Sequence, residues 1–156
     1  MLGEIGADDP GASDVRALLE RHLAHSYEHS PPEDVHALDL DELLAPNISF
    51  FTFRRDGTLL AMGALKQLDA EHGEIKSMHT VDEARRDGIA RAMLMHLLRE
   101  ARARGIQRVS LETGSMQEYA PARALYASVG FIECEPFDTY APSVNSTFMT
   151  LALDDR

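Results

Sequence analysis

The sequence predicts an α/β (α+β) fold: a mixed, mostly antiparallel central sheet with one parallel strand pair and flanking helices. Three observations predict it. The stretch "NISFFTFRRDGTLLAMGALKQLD" holds two β-rich runs joined by Asp56-Gly57, a dipeptide suited to a tight hairpin turn because glycine accepts a positive φ. A further β-rich run, Glu74 to Val81, follows a turn at "EHGE", so three adjacent strands form an antiparallel meander. The segment from Gly88 to Arg104 is then apolar around most of its circumference and leads into "IQRVSLET". Strand, helix and strand from Glu74 to Glu112 therefore make a parallel pair with a helical crossover.

The remaining elements follow from local signals. A short strand is expected over Leu2 to Gly6. Ser13 reads as the N-cap of a first helix in which Val15, Leu18, Leu19, Leu23 and Tyr27 recur with helical spacing. Two short helical pieces, Glu33 to Leu38 and Asp39 to Leu44, follow the prolines of "HSPP". Gly105 stands where the crossover helix needs a left-handed C′ residue. "PARALYASVG" reads as a helix ended by Gly130, and "FIECEPF" and "STFMTLAL" as two closing strands.

Composition narrows the function. The chain of 156 residues fits one domain, residues 1–156, long enough to bury a core. Its 44% hydrophobic and 26% charged residues are ordinary for a globular protein, and no apolar run reaches the roughly 18 residues of a membrane span. No membrane partner is expected. The N-terminus has no basic region followed by an apolar stretch, so no signal peptide is visible and a cytoplasmic location is expected. A net charge of −11 with dispersed acidic residues argues against a nucleic-acid partner. The one cysteine, Cys134, excludes an internal disulfide and lacks a recognisable base partner, so it reads as a small packed hydrophobe. His22, His25 and His29 share one side of the first helix without an adjacent carboxylate to complete a zinc pattern, and no metal is expected.

The loop "ARRDGIARAM" raises the sharper question. A strand running into a loop and a helix N-terminus presents unpaired N–H groups and the positive end of the helix dipole, an anion site. Gly88 allows close backbone approach and Ala90 keeps the first turn uncrowded, although a simple turn with solvated arginines accounts for the same residues. A nucleotide P-loop needs a Lys-Ser/Thr pair that is missing here. A dinucleotide fingerprint needs three spaced glycines where only one is present, which excludes a nicotinamide-binding oxidoreductase.

Coenzyme A is the third alternative. "TVDEARRDGIARAML" resembles the acyl-CoA signature of the GNAT superfamily of N-acetyltransferases, with Arg85, Gly88 and Ala90 at its key positions. Downstream, "ALYASVGF" is similar to that family's second signature, a Leu-Tyr pair followed by Gly-Phe. The order of elements from Leu2 to Leu153 is also the family's order, and "ALKQLDAEHGEIKSM", "SLETGS", "PARALY" and "ECEPF" look like a bacterial subgroup of acetyltransferases.

The resemblance implies a set of roles. The strands Glu74 to Val81 and Ile106 to Glu112 would splay apart and admit the pantetheine arm of acetyl-CoA, which pairs with main-chain groups of Met78 and Thr80. Backbone N–H groups of Arg86, Asp87, Gly88, Ile89, Ala90 and Arg91, after Arg85, would hold the pyrophosphate. An N–H near Met78 or His79 would meet the thioester oxygen. Tyr126 would protonate the leaving thiolate. Glu74, six residues before Thr80 and on the same face as Lys76 and Met78 by strand alternation, is the candidate base, with a solvated strand-end charge or an ion pair to Lys76 as its alternative readings and Glu112 as reserve. Glu33, His36, Asn145 and Ser146 are candidate acceptor contacts. Tyr119 departs from the family pattern, which has Asn seven residues before the tyrosine.

The expected activity is transfer of the acetyl group of acetyl-CoA to a primary amine of a small molecule, amino acid or peptide, by direct attack in a ternary complex. A non-catalytic acyl-CoA-binding regulatory module is the alternative. The oligomeric state is open between monomer and homodimer.

Overall fold

A computed structural model describes residues 3–36 and 38–153. Its frame is a seven-stranded sheet in the order β1-β2-β3-β4-β5-β7-β6. The strands are β1 (Glu4–Ala7), β2 (Ile48–Arg55), β3 (Thr58–Gln67), β4 (His72–Thr80), β5 (Arg108–Gly114), β6 (Ile132–Glu133) and β7 (Ser146–Ala152). Four helices accompany them: α1 (Ser13–His29), α2 (Leu40–Leu43), α3 (Ile89–Ala103) and α4 (Ala120–Val129). No described helix is long and apolar enough to cross a membrane.

The meander forms as expected. Asp56 and Gly57 both take positive φ, 51° and 81°, so the hairpin turns in the sense that matches strand twist. The next turn lies earlier than expected. β4 begins at His72, because Asp69 Oδ1 accepts hydrogen bonds from the N–H groups of Glu71 and His72, both at 2.8 Å, and closes the turn before "HGE".

Helix α3 ends with Gly105 at φ 76°, as the sequence requires, and it buries Ile89, Met93, Leu94, Leu97, Leu98 and Ala101. It lies directly on β3 at Gly63, where a Cβ would stand 2.8 Å from Met93 Cγ and 3.2 Å from Leu97 Cδ1. On α1, the N-cap is Ala12 and makes no side-chain cap; Ser13 is the first helical residue. Asp14 in the first turn instead pairs with Arg54 of β2 at 2.7 Å, and Arg54 also reaches Asp8 at 2.9 Å. Tyr27 is exposed rather than packed.

Two further expectations are corrected. The chain after the prolines forms a single 3₁₀ turn, Pro32–Asp34, and the one-turn helix α2 with Asp39 and Glu42 in a reciprocal capping box. Ala37 and Leu2, parts of expected elements, lie outside the described residues. "FIECEPF" contributes only the two residues of β6, after which the chain leaves the sheet as an irregular strap to Asn145.

The parallel pair positions the site. β4 and β5 are in register only from His72 to Glu74 against Arg108 to Ser110, while the strands run on to Thr80 and Gly114. A bulge explains the divergence. Ala64 faces Lys76 but Met62 faces His79, so β4 carries one residue more than β3, and Ser77 takes φ 57° to accommodate it.

Gly63→Ala is expected to destabilise the protein by roughly 1–3 kcal/mol, because the added methyl overpacks the α3 contact. A urea midpoint that falls at unchanged slope checks this.

Candidate active site

Beyond the last β4–β5 pair the sheet opens into two joined cavities. One is lined by residues of α1, the 3₁₀ turn, β4, β5, α4 and the strap, including Asp34, His36, Glu74, Lys76, Glu112 and Tyr140. The other follows Met78, His79 and Thr80 to Arg85, Arg86, Gly88, Ala90 and Arg91. His22, Met78, Tyr119, Ala122 and Tyr126 line both. A group moved from one cavity to the other passes these five residues.

The second cavity is built from the loop before α3. Arg86 at φ 70° and Gly88 at φ 78° are both left-handed and flank Asp87, which turns the backbone into a concavity. Gly88 is the N-cap of α3 with no side-chain hydrogen bond to the first turn, and a Cβ on it would meet nothing within 4 Å. Free helix N–H groups, the dipole and open space at Gly88 suit a pyrophosphate. Ile89 is buried and anchors the first turn, so its contribution is limited to the backbone. Arg91 donates to Ser128 Oγ at 2.6 Å, and Arg85 donates to Thr80 O at 3.3 Å while pairing with Asp82 at 3.2 Å. One of the main-chain acceptors expected for a pantetheine arm is thus held by Arg85.

Tyr126 sits at the junction, buried, on α4. Its place depends on the helix end: Gly130 at φ 116° reverses the chain so that Phe131 N–H donates to Tyr126 O at 3.1 Å, with the two rings 5.8 Å apart. This is the physical content of the Leu-Tyr/Gly-Phe spacing. Burial, with Glu112 nearby, pushes the phenol up to about 12, so it keeps its proton at neutral pH. Tyr119, the departure from the family pattern, lies over Gly114, where a Cβ would overlap its ring, and edges onto His25.

The first cavity gathers charge. Glu74 is 1% exposed, and its Oε2 accepts the Tyr140 hydroxyl and lies 3.4 Å from Lys76 Nζ. Lys76 in turn donates to Tyr140 Oη at 2.7 Å. Glu74 is therefore no solvated strand end. Its other oxygen, Oε1, is buried without a partner, as is Ser77 Oγ on the same strand. Glu112, half-buried on β5, is raised to about 7 by burial, against the attraction of Lys76. Asp34 Oδ2 accepts from Ser143 Oγ and Asn145 Nδ2, both at 3.0 Å, which ties the strap to the 3₁₀ turn.

Most of the predicted residues meet here, with corrections. Glu74 and Lys76 share a face, but the bulge returns His79 rather than Met78 to it. His79 Nδ1 lies 3.2 Å from His22 Nδ1, and burial lowers the two rings to about 4 and about 3, so both are neutral at pH 7. Among the described residues, no group of three or more His, Cys, Asp or Glu is placed to hold a metal ion. His36 lines the first cavity, where its ring edges onto Tyr140 at 4.8 Å. Glu33 is exposed outside it, and Asn145 acts through Asp34. Cys134 is half-buried, and its N–H donates to Phe148 O at 2.9 Å.

Sequence reasoning missed Asp34 and Tyr140. Tyr140 is 66 positions from Glu74 and lies in an irregular segment, so no periodicity could join them. The only local signal was an aromatic residue in an otherwise turn-rich stretch, "PFDTYAPS".

Comparison with known proteins agrees with this geometry. The sequence profile of the Acetyltransferase (GNAT) family matches residues 13–131. The chain is 47% identical over 149 residues to YsnE, an uncharacterized N-acetyltransferase of Bacillus subtilis, covering 96% of this chain and 99% of that one. It is 40% identical over 149 residues to YedL, an uncharacterized N-acetyltransferase of Escherichia coli, covering 96% and 94%. In fold, it matches a GNAT family acetyltransferase of Elizabethkingia anophelis, a structure with acetyl-CoA bound, at a TM-score of 0.71 and 16% identity over 97% and 99% of the two chains. With profile, relatives and fold in agreement, the chain belongs to the GNAT family and is an acetyltransferase.

Proposed function

We propose that the protein transfers the acetyl group of acetyl-CoA to a primary amine by direct attack in a ternary complex. The observation that carries this reading is the junction: the loop-and-helix anion site opens along β4 toward Tyr126, and the carboxylate-lined cavity opens onto Tyr126 from the other side. Acetyl-CoA fits the first by its pyrophosphate and its extended pantetheine, which finds β4 unpaired with β5 beyond Glu74.

The chemistry follows from the groups present. An alkylamine arrives mainly as an ammonium ion and must lose a proton before it can attack. Glu112, raised to about 7, is matched to take that proton near neutral pH. Taking it would cost Glu74 its ion pair with Lys76, so Glu74 is better suited to hold the acceptor molecule through Oε1. The nitrogen lone pair then forms the C–N bond; the second amine proton of the adduct passes to the Tyr126 oxygen as that oxygen gives up its own, and Glu112 returns the first proton to solvent. The C–S electron pair leaves on sulfur, which takes the proton of Tyr126. A main-chain N–H near Met78 or His79 would meet the developing oxyanion. The base role thereby moves to Glu112 from Glu74.

A regulatory acyl-CoA-binding module would have no use for a protonated tyrosine and a near-neutral carboxyl at opposite sides of one junction. Three outcomes test the enzyme reading. Gly88→Val should weaken acetyl-CoA binding about tenfold or more in calorimetry, with circular dichroism reporting the fold, because valine cannot hold the left-handed φ of 78° and its side chain fills the pyrophosphate approach. Tyr126→Phe should lower kcat by roughly 10- to 10⁴-fold with little change in acetyl-CoA affinity; unchanged turnover would make Tyr126 a packing residue.

The pH profile separates the two carboxylates. Only ionised Glu112 accepts a proton, so wild-type kcat/KM should rise as pH passes upward through about 7. Glu112→Gln should lose that limb and keep only the slower rise that comes from free amine. Glu74→Gln should retain the limb and raise KM for the amine. A limb lost in Glu74→Gln alone would return the base role to β4.

A further inference from the structure

We infer that the acceptor is a small dicationic amine, its reacting nitrogen presented between Glu112 and Tyr126 and its second cation held by Asp34 and the free oxygen of Glu74. This rests on the acetyl-transfer reading above.

The charges facing the cavity are unequal. Three carboxylates line it, Asp34, Glu74 and Glu112, against one ammonium, that of Lys76. Lys76 is already engaged, donating to Tyr140 Oη at 2.7 Å and lying 3.4 Å from Glu74 Oε2. His36 supplies no second cation, since burial and the nearby Lys76 depress its protonation. The other described lining residues include no arginine. Asp34 and, in its ionised form, Glu112 are thus left without a cation.

The unpartnered atoms point the same way. Glu74 Oε1 is buried without a hydrogen bond, in a residue 1% exposed on the cavity wall. A carboxylate oxygen can only accept, so its missing partner is a donor. Leaving such an atom unmatched carries a desolvation cost that an ammonium in the cavity would recover. Ser77 Oγ, also buried without a partner, adds an acceptor to the same wall.

Asp34 is prepared for the second charge. Ser143 and Asn145 both bond its Oδ2, so the strap fixes the carboxylate in place at the cavity wall. One cation leaves an excess of negative charge in a partly enclosed space, whereas two neutralise it. An α- or ω-amino acid brings its own carboxylate toward three others and meets no free cation.

The test is a matched series of four-carbon acceptors, 1,4-diaminobutane, butylamine and 4-aminobutanoate, which differ only in the charge at the far end. Release of the coenzyme thiol is followed under saturating acetyl-CoA, and acetyl-CoA binding is measured separately by calorimetry. The expected order of kcat/KM is diamine, monoamine, amino acid, with about tenfold or more between the first two. Asp34→Asn should bring the diamine-to-monoamine ratio toward one through KM, with the melting temperature reporting its folding. Equal rates for diamine and monoamine, a preference for 4-aminobutanoate, or no transfer to any of the three while acetyl-CoA binds would each overturn the inference and leave the cosubstrate assignment standing. Failure of acetyl-CoA to bind would instead overturn the reading on which it rests.

Discussion

Three residue pairs hold β4 to β5, and the site exists because the fourth does not form. His72 to Glu74 lie in register with Arg108 to Ser110, and then the strands separate. The extra residue at Ser77 forces the separation, since a bulged strand bends away from its neighbour and twists more strongly. A regular β4 would have continued the parallel ladder and closed the gap. Instead the outer edge of Met78, His79 and Thr80 faces a cleft, the loop at Arg85 to Arg91 closes one end of it, and Tyr126 stands at its middle. The main-chain groups left unpaired there are open to water or to another chain-like molecule.

The fold was legible where periodicity and turn chemistry are local. The Asp56-Gly57 hairpin, the buried face of α3, Gly105 and Gly130 each follow from a few neighbouring residues. The α1 N-terminus was misread for the opposite reason. Ser13 has the right chemistry for a cap, but Asp14 is drawn to Arg54, 40 positions away, and the helix starts one residue earlier than Ser13 would set it. The bulge at Ser77 left no sequence signal either, because serine at positive φ is tolerated only through the tertiary frame. It is what moves His79, and not Met78, onto the face of Lys76.

The candidate site was half legible. Residues within the two signatures, Gly88 and Tyr126 foremost, line the second cavity at the loop and at the junction. The charges that line the first cavity were harder, because each gains its character from a distant element. Glu74 is oriented by Tyr140, Glu112 is changed by burial, and Asp34 is fixed by Ser143 and Asn145. The strap from Cys134 to Asn145 thus does for the first cavity what α3 does for the second.

The most direct measurement is a crystal structure of the protein with coenzyme A. The account predicts the pyrophosphate on the N–H groups at the start of α3, the pantetheine amides paired with the free edge of β4 between Met78 and Thr80, and the thiol within hydrogen-bond distance of the Tyr126 hydroxyl. Coenzyme A bound elsewhere, or bound with β4 and β5 closed together beyond Glu74, would contradict it.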